Sequence, residues 1–236
     1  MRGPIYEPAG AAREYAELAL NLYTGCPHGC SYCYVPGIVR KRRDRFSDDV
    51  RPRAGILAAL DRQLSRGGFG GRTVHLCFTC DPYPAGCDDE VTRDAIVLLK
   101  AAGCHVQVLT KNPLGARRDL ALLGDGDVFG VTLTGHDHLD EPGANPETVR
   151  MRELAAAHRR GLFTWVSAEP IADPGYVLHL VEDFPWIDRI SIGRDRRVAD
   201  DVDWASFVWS MGAACRARGV DLRVKDSIGR MLGEVA

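Results

Sequence analysis

Short apolar runs alternate with longer segments whose apolar residues recur every three or four positions, and this alternation organises most of the chain. A first strand is expected at Leu18–Tyr23. A helix follows over Pro52–Arg66, where Ile56, Leu57, Leu60 and Leu64 share one face and Gly67-Gly68 ends it. The series continues with a strand at Thr73–Thr79, a helix at Asp89–Ala102, a strand at Cys104–Thr110, a short helix at Ala116–Leu123 and a strand at Asp127–Leu133. It goes on with a helix at Pro146–Arg160, a strand at Leu162–Ser167, a helix near Gly175–Glu182 and a strand at Ile187–Ile192. A helix at Trp204–Arg218 and a strand at Val220–Val224 complete it. Residues Met1–Glu17, with Pro4, Pro8 and Gly10, read as an irregular lead-in with a turn of helix at Ala11–Glu17.

Connections this short keep successive strands adjacent and parallel, and right-handed crossovers curl them in one direction. Six or seven repeats give an open barrel rather than a closed eight. The expected fold is therefore α/β, a partial (β/α)6 TIM-like barrel with parallel strands. One domain over residues 1–236 is expected, since 236 residues with 45% apolar content suffice for a single sizeable core. No internal repeat of solenoid length is evident.

A net charge of −2 gives no global attraction to nucleic acid or to an anionic membrane. Charge is concentrated locally, in Arg40, Lys41, Arg42, Arg43, Arg45, Arg51 and Arg53, diluted by Asp44, Asp48 and Asp49. Such a run is either a solvated face or a rim that contacts the phosphates of a nucleic acid. No stretch approaches the roughly 20 apolar residues of a membrane span, and no secretory leader opens the chain, so the expectation is a cytoplasmic protein with no membrane partner. Eight cysteines in a chain of this size do not form a disulfide scaffold.

Three of those cysteines carry the chemistry. Cys26, Cys30 and Cys33 stand four and three residues apart in a loop with Gly25, Pro27 and Gly29. Thiolates in so tight a turn can converge on one metal centre, and clustered iron is the usual occupant of an all-sulfur site. The alternatives are small loop residues, or a zinc knuckle whose fourth ligand lies elsewhere. A second pair at C-x2-C spacing, Cys77 and Cys80, lies in and just past the strand expected at Thr73–Thr79, so spacing alone leaves zinc open. His28, inside the loop, reads as exposed rather than as a ligand.

The pattern C-x3-C-x-aromatic-C, with Tyr32 in the aromatic place, resembles the signature of the radical S-adenosylmethionine (radical SAM) superfamily. That resemblance implies a [4Fe–4S] cluster held by Cys26, Cys30 and Cys33, whose fourth iron chelates S-adenosylmethionine. It implies reductive cleavage of that cofactor to methionine and a 5′-deoxyadenosyl radical, which takes hydrogen from a substrate. An electron donor such as flavodoxin or ferredoxin is implied as a partner. Radical SAM cores are similar partial barrels, in agreement with the fold read from the alternation.

If the chemistry lies at the carboxyl ends of the strands, their last residues line it. Those ends are polar: Thr79-Cys80-Asp81-Pro82-Tyr83, Thr110-Lys111-Asn112, Thr132-Leu133-Thr134, Ser167-Ala168-Glu169-Pro170 and Gly193-Arg194. Each alone could be an ordinary turn, but five together point to a lined polar cavity. Several segments are also similar to the spore photoproduct lyase and photolyase-like branch: Thr79–Tyr83, Leu109–Lys111 with Arg118–Leu120, Glu141-Pro142-Gly143 with Arg150, and Ser167–Ile171. The last, with Cys215, Gly219, Val220 and Lys225, also resembles an uncharacterised phage-associated subgroup.

Carried over by motif, Thr79 and Asp81 would meet the cofactor's amino group, Lys111 its carboxylate, and Thr132 its carboxylate or ribose. Tyr32 would lie against the adenine. Asp81 stands where many members carry a Gly-Gly-Glu, a departure in this sequence. Glu169 either accepts backbone hydrogen bonds at its strand exit or touches ribose hydroxyls or substrate. Lys225 and Arg194 are the residues to watch for an anionic substrate. Cys77, Cys104 and Cys215 read as small buried residues. Cys80 and Cys87 bracket the cavity mouth, and the branch resemblance makes Cys80 a candidate hydrogen-atom donor. The substrate expected from this branch is a nucleobase or nucleotide, with a small biosynthetic metabolite as the alternative.

Overall fold

The computed structural model describes residues 3–87, 90–136, 140–197 and 201–233. In chain order the strands are β1 (Ile5–Tyr6), β2 (Leu18–Leu20), β3 (Tyr23–Thr24), β4 (Arg51–Pro52) and β5 (Thr73–Leu76). β6 (His105–Thr110), β7 (Val128–Thr132), β8 (Phe163–Ala168), β9 (Arg189–Ile192) and β10 (Asp221–Val224) follow. The helices are α1 (Val35–Ile38), α2 (Arg43–Asp48), α3 (Ile56–Leu64), α4 (Glu90–Ala101), α5 (Pro113–Ala116), α6 (Glu147–His158), α7 (Pro174–Asp183), α8 (Trp204–Arg218) and α9 (Asp226–Gly233).

One sheet runs in the order β1-β2-β5-β6-β7-β8-β9-β10, parallel throughout except that β1 pairs antiparallel to β2. β1 and β10 lie at its two ends, so the sheet curls into a partial barrel that does not close. A second, two-stranded pair joins β3 to β4. No helix among the described residues is long and apolar enough to cross a membrane.

The strands read as near-continuous apolar runs because they are covered on both faces. Val106, Val108, Val131, Val166, Ile190 and Ile192 are fully buried. The outer helices supply one apolar stripe each: Ala95, Ile96 and Leu99 from α4, Leu154 and Ala157 from α6, Val177, Leu180 and Val181 from α7. α7 and α8 each begin with a side-chain cap, Asp173 on Tyr176 N and Asp203 on Ser206 N, both at 3.0 Å.

The alternation thus locates the seven parallel strands, but four details differ. The expected strand Leu18–Tyr23 is broken at Asn21, whose Oδ1 accepts from Phe78 N at 2.7 Å and Thr79 N at 2.9 Å. The same bonds draw Phe78 and Thr79 out of the ladder, so β5 ends at Leu76 rather than Thr79. The short helix expected at Ala116–Leu123 is two pieces, α5 and a 3-10 turn over Asp119–Leu122. The lead-in holds β1 and a 3-10 turn at Gly10–Glu14, and α9 follows β10 where no helix was expected.

Inside the barrel sits a polar and aromatic layer. His75 is buried and stacks on Phe78 with ring centroids 4.3 Å apart. Gln107 Nε2 lies 3.0 Å from both His75 Nδ1 and the Tyr15 carbonyl, so its two hydrogens serve the lead-in and an unprotonated imidazole. Trp165 donates from Nε1 to Ser191 Oγ at 3.0 Å, and its ring occupies the space beside Gly130, where a Cβ would stand 2.8 Å from it.

Burial holds His75 neutral, moving its pKa from an ordinary 6.5 down to about 3. Because the folded-state value lies below the unfolded one, its contribution to stability is complete above about pH 6.5 and declines below it, at about 1.4 kcal/mol per pH unit. Urea unfolding from pH 7 to pH 4 should therefore show a steeper acid loss in the natural chain than in His75→Gln. Parallel slopes would remove His75 as the cause.

Candidate active site

The cysteine loop leaves β3 at Thr24 and turns at Gly25, whose φ is +76°. A Cβ there would meet the Phe46 and Asp49 carbonyls at 2.6 Å, so only glycine lets the chain press against α2. Cys26 N donates to Phe46 O at 3.1 Å, and Cys33 N to Cys30 O at 3.1 Å. The Arg43 guanidinium reaches Cys30 O at 3.1 Å and Cys33 O at 3.0 Å, gripping two of the three cysteines by their backbone. From the other side Ser31 N donates to Asp140 O at 2.8 Å and Gly143 N to His28 O at 3.0 Å. A Cβ at Gly143 would overlap the Pro27 carbonyl. The loop is thus held between α2 and the segment that follows β7.

Cys26, Cys30 and Cys33 are free thiols. Burial pushes all three pKa values up, Cys30 to about 11, while Lys111 opposes the rise at Cys30, and Arg43 and Lys111 oppose it at Cys33. Among the described residues no three His, Cys, Asp or Glu side chains are drawn together closely enough for a single metal ion. Three soft donors on one loop, with cations beside them, do fit an iron–sulfur cluster, whose sulfur-rich core is anionic. A further observation fits: His28 is buried, not exposed as expected, and its Nε2 has no hydrogen-bond partner in this structure.

Behind the loop lies a buried ionic network. Lys111 Nζ stands 2.6 Å from the Tyr32 hydroxyl and 2.6 Å from Glu141 Oε1, and Tyr32 donates to the same carboxylate. Arg150, 1% exposed, pairs with the other Glu141 oxygen and donates to Thr132 O at 3.0 Å and Asn145 O at 2.7 Å. Burial pushes the Lys111 ammonium down to about 8. Glu141 and Arg150 had no role assigned from sequence; the Glu-Pro-Gly turn beside a distant arginine was the available signal.

Asp81 is likewise engaged by the protein. Its Oδ1 accepts from Thr110 Oγ1 at 2.6 Å and Tyr83 N at 2.8 Å, and its Oδ2 from Lys111 N at 2.8 Å, with His28 Nδ1 3.5 Å away. It ties the exit of β5 to that of β6. Thr79 Oγ1 accepts from Arg53 at 3.3 Å, and Thr132 is buried at the end of β7 opposite Ser167. Glu169 lies across the barrel, with Tyr15 Oη at 2.5 Å and Lys225 Nζ at 3.4 Å. Cys80 packs against the core; burial and its neighbour Cys77 push its thiol well up. Cys77, Cys104 and Cys215 are buried as expected.

Most of the basic run is committed internally. Arg43 grips the cysteine loop, and Arg53 binds Tyr23 O at 3.0 Å as well as Thr79. Lys41 and Arg51 pair with Asp49, and Arg42 pairs with Asp44. This departs from a continuous phosphate rim, since alternate acids neutralise it locally.

The radical SAM superfamily model matches residues 20–184, which include the cysteine loop and the strand ends of β5 to β8. The chain belongs to the radical SAM superfamily. That family carries an iron–sulfur cluster and S-adenosylmethionine, consistent with the donor set described above. Uncharacterised proteins of Mycobacterium tuberculosis and Mycobacterium bovis are 28% identical over 172 residues, 64% of this chain and 48% of theirs. The chain thus spans about half the length of these curated relatives. An uncharacterised protein of Acidianus two-tailed virus is 26% identical over 207 residues, covering 78% of this chain and 68% of its own. Among solved structures, spore photoproduct lyase complexed with a dinucleoside spore photoproduct has a TM-score of 0.66 at 14% identity, covering 92% of this chain and 78% of that one. Streptococcus suis SuiB bound to its precursor peptide SuiA has a TM-score of 0.67 at 13% identity, covering 95% and 53%. These two likenesses concern the fold.

Two outcomes follow from the geometry. Arg150→Met leaves the buried Glu141 Oε2 without its partner, while Lys111 and Tyr32 stay on Oε1, and should cost about 1–3 kcal/mol in denaturant unfolding. Arg43→Met frees the Cys30 and Cys33 carbonyls. Iron retained per chain after reconstitution and chelator challenge should drop about tenfold, while the melting temperature of the metal-free protein stays near that of the natural chain.

Proposed function

We propose that this radical SAM protein cleaves S-adenosylmethionine reductively and abstracts hydrogen from a nucleobase or nucleotide. The observation that carries the reading is the position of the cysteine loop. Three free thiols sit on a loop clamped by Arg43 and the Asp140–Ala144 segment, with Cys26 beside Asp81 and Cys30 beside Lys111 at the strand ends.

A [4Fe–4S] cluster on Cys26, Cys30 and Cys33 would supply one electron to the bound sulfonium, yielding methionine and a 5′-deoxyadenosyl radical. The chain's own residues then divide the work. Lys111 provides the compact cation suited to a carboxylate, and Glu141 holds it in place until one arrives. Tyr32, whose ring lies 4.4 Å from that of His136 at a 38° tilt, offers a flat face for the adenine. Asp81 fixes the two strand ends and so positions Lys111; Thr79 and Thr132 line the same ends. The His75, Phe78 and Trp165 layer excludes water below the site. Cys80 serves as hydrogen-atom donor in this scheme.

A nucleotide-sized substrate is favoured over a long duplex because the basic run is largely neutralised by its own acids. The neighbour complexed with a dinucleoside spore photoproduct supports the same size. Tyr34, Ile38 and Val39 are exposed beside the cysteine loop, next to Arg40, and form a surface suited to an electron donor such as flavodoxin or ferredoxin.

Anaerobic reconstitution with iron and sulfide, followed by dithionite and S-adenosylmethionine, should release 5′-deoxyadenosine and methionine. Replacement of Cys26, Cys30 or Cys33 by alanine should abolish both. Persistence of cleavage in those variants, or none in the natural chain, would defeat the reading.

A further inference from the structure

The helices outside the barrel carry charge that the strand-end site does not use. Between the segment that follows β6 and helix α6 lies a cavity of about 280 Å³, lined by Arg117, Arg152, Arg159 and Arg160 above Leu120 and Glu153. The four arginines are exposed, while Leu120 and Glu153 are buried beneath them. Arg152 and Arg159 stand seven residues apart, two turns along α6 and its carboxyl cap, so they share one face.

Glu153 organises the group. Its carboxylate accepts from Arg117 Nε at 3.0 Å and Nη2 at 2.6 Å, a forked pair, and from Arg152 Nε at 3.1 Å. The Arg117 fork holds this carboxyl below its ordinary range, so its negative charge persists at neutral pH. Nη1 of Arg117 and both terminal nitrogens of Arg152 have no acceptor among the described residues. Cations in the last turn of a helix commonly serve its terminal carbonyls, yet the Arg159 and Arg160 guanidinium groups make no hydrogen bond or ion pair among the described residues. Four cations against one carboxylate leave an excess of three positive charges around one cavity.

We infer that this cavity is a binding site for a compact oligophosphate, pyrophosphate or longer, taken as the free anion or as the tail of a nucleotide. Guanidinium groups match phosphate oxygens in pairs and stay charged at neutral pH. One phosphate group carries about two negative charges, so the excess calls for linked groups. An acidic peptide fits less well, because each carboxylate arrives on a side chain whose ordering costs entropy, whereas an oligophosphate concentrates charge and acceptors in a few atoms. The site is separate from the radical SAM chemistry: Arg150, on the same helix, turns inward to Glu141, while Arg152 and Arg159 stay at the surface.

Isothermal titration of the reconstituted full chain with inorganic tripolyphosphate, in magnesium-free buffer at about 0.15 M salt, tests the inference. One saturable site per chain is expected, at least tenfold tighter than for orthophosphate. Arg159→Gln and Arg160→Gln should each weaken it about tenfold, the loss expected for one charge-assisted contact. Neither side chain has a partner in the fold, so the ligand-free melting temperature and the release of 5′-deoxyadenosine should match those of the natural chain. Arg42→Gln, in the basic run after the cysteine loop, should leave the affinity unchanged. ATP distinguishes the two sources: binding tighter than tripolyphosphate marks a nucleotide site, and equal or weaker binding marks a site for the free anion. No saturable binding, natural-chain affinity in the Arg159→Gln/Arg160→Gln double variant, or displacement by an equal concentration of hexaglutamate would each overturn the inference. Heat from chelation of cluster iron would persist in that double variant and so is not mistaken for the site.

Discussion

Arg150 is the interaction on which the site's shape depends. Its guanidinium is 1% exposed and reaches the Thr132 carbonyl at the end of β7, the Asn145 carbonyl before α6 and the Glu141 carboxylate. A charge taken so far from water needs every donor placed, and here the partners come from separate pieces of backbone. The arrangement thereby fixes where the chain runs after β7. Glu141 in turn carries Lys111 and Tyr32, and its neighbours Asp140 and Gly143 hold the cysteine loop by backbone hydrogen bonds. One buried cation thus connects a strand end, a helix start and a loop over a hundred residues earlier in sequence.

The periodic part of this design was legible in the sequence. Parallel strands buried on both faces must be continuously apolar, and the helices that cover them must carry a stripe, so both periods are written in residue type. The cysteine spacing was equally plain because a metal-binding loop is local. Asn21 was not legible. An asparagine within an apolar run gives no sign that its amide will take two backbone hydrogens from residues 57 and 58 positions later, yet that bond ends two strands. Glu141 and Arg150 failed for a related reason: a surface ion pair and a buried one have the same letters, and only the fold removes the water. The lead-in was read as irregular because Pro4, Pro8 and Gly10 break its pattern, although Tyr15 finds its partners more than 150 positions away.

The basic run shows how much the fold adds to a pattern the sequence leaves open. Seven cations within fourteen positions look like a surface for phosphate. Spacing along the chain, however, says little about which side of a short helix each one occupies. Arg43 and Arg53 turn inward to carbonyls of the cysteine loop and of β3, while Lys41, Arg42 and Arg51 meet acids from the same segment. Part of this charge is used to hold a loop that has few apolar residues of its own.

An open barrel poses a problem that a closed one does not. Its first and last strands have unpaired edges, and its interior is exposed along the seam. β1 covers one edge by pairing with β2, and the lead-in that connects them crosses the seam to α9. The plug is aromatic and polar at once. The Tyr15 ring fills space against Trp165 and Phe78, and its hydroxyl satisfies Glu169. A purely apolar plug would have left that carboxylate without its closest partner, and a purely polar one would have left the barrel interior underpacked. Tyrosine meets both demands, so the segment with the least regular pattern in the chain is held in place by the chemistry of the cavity it closes.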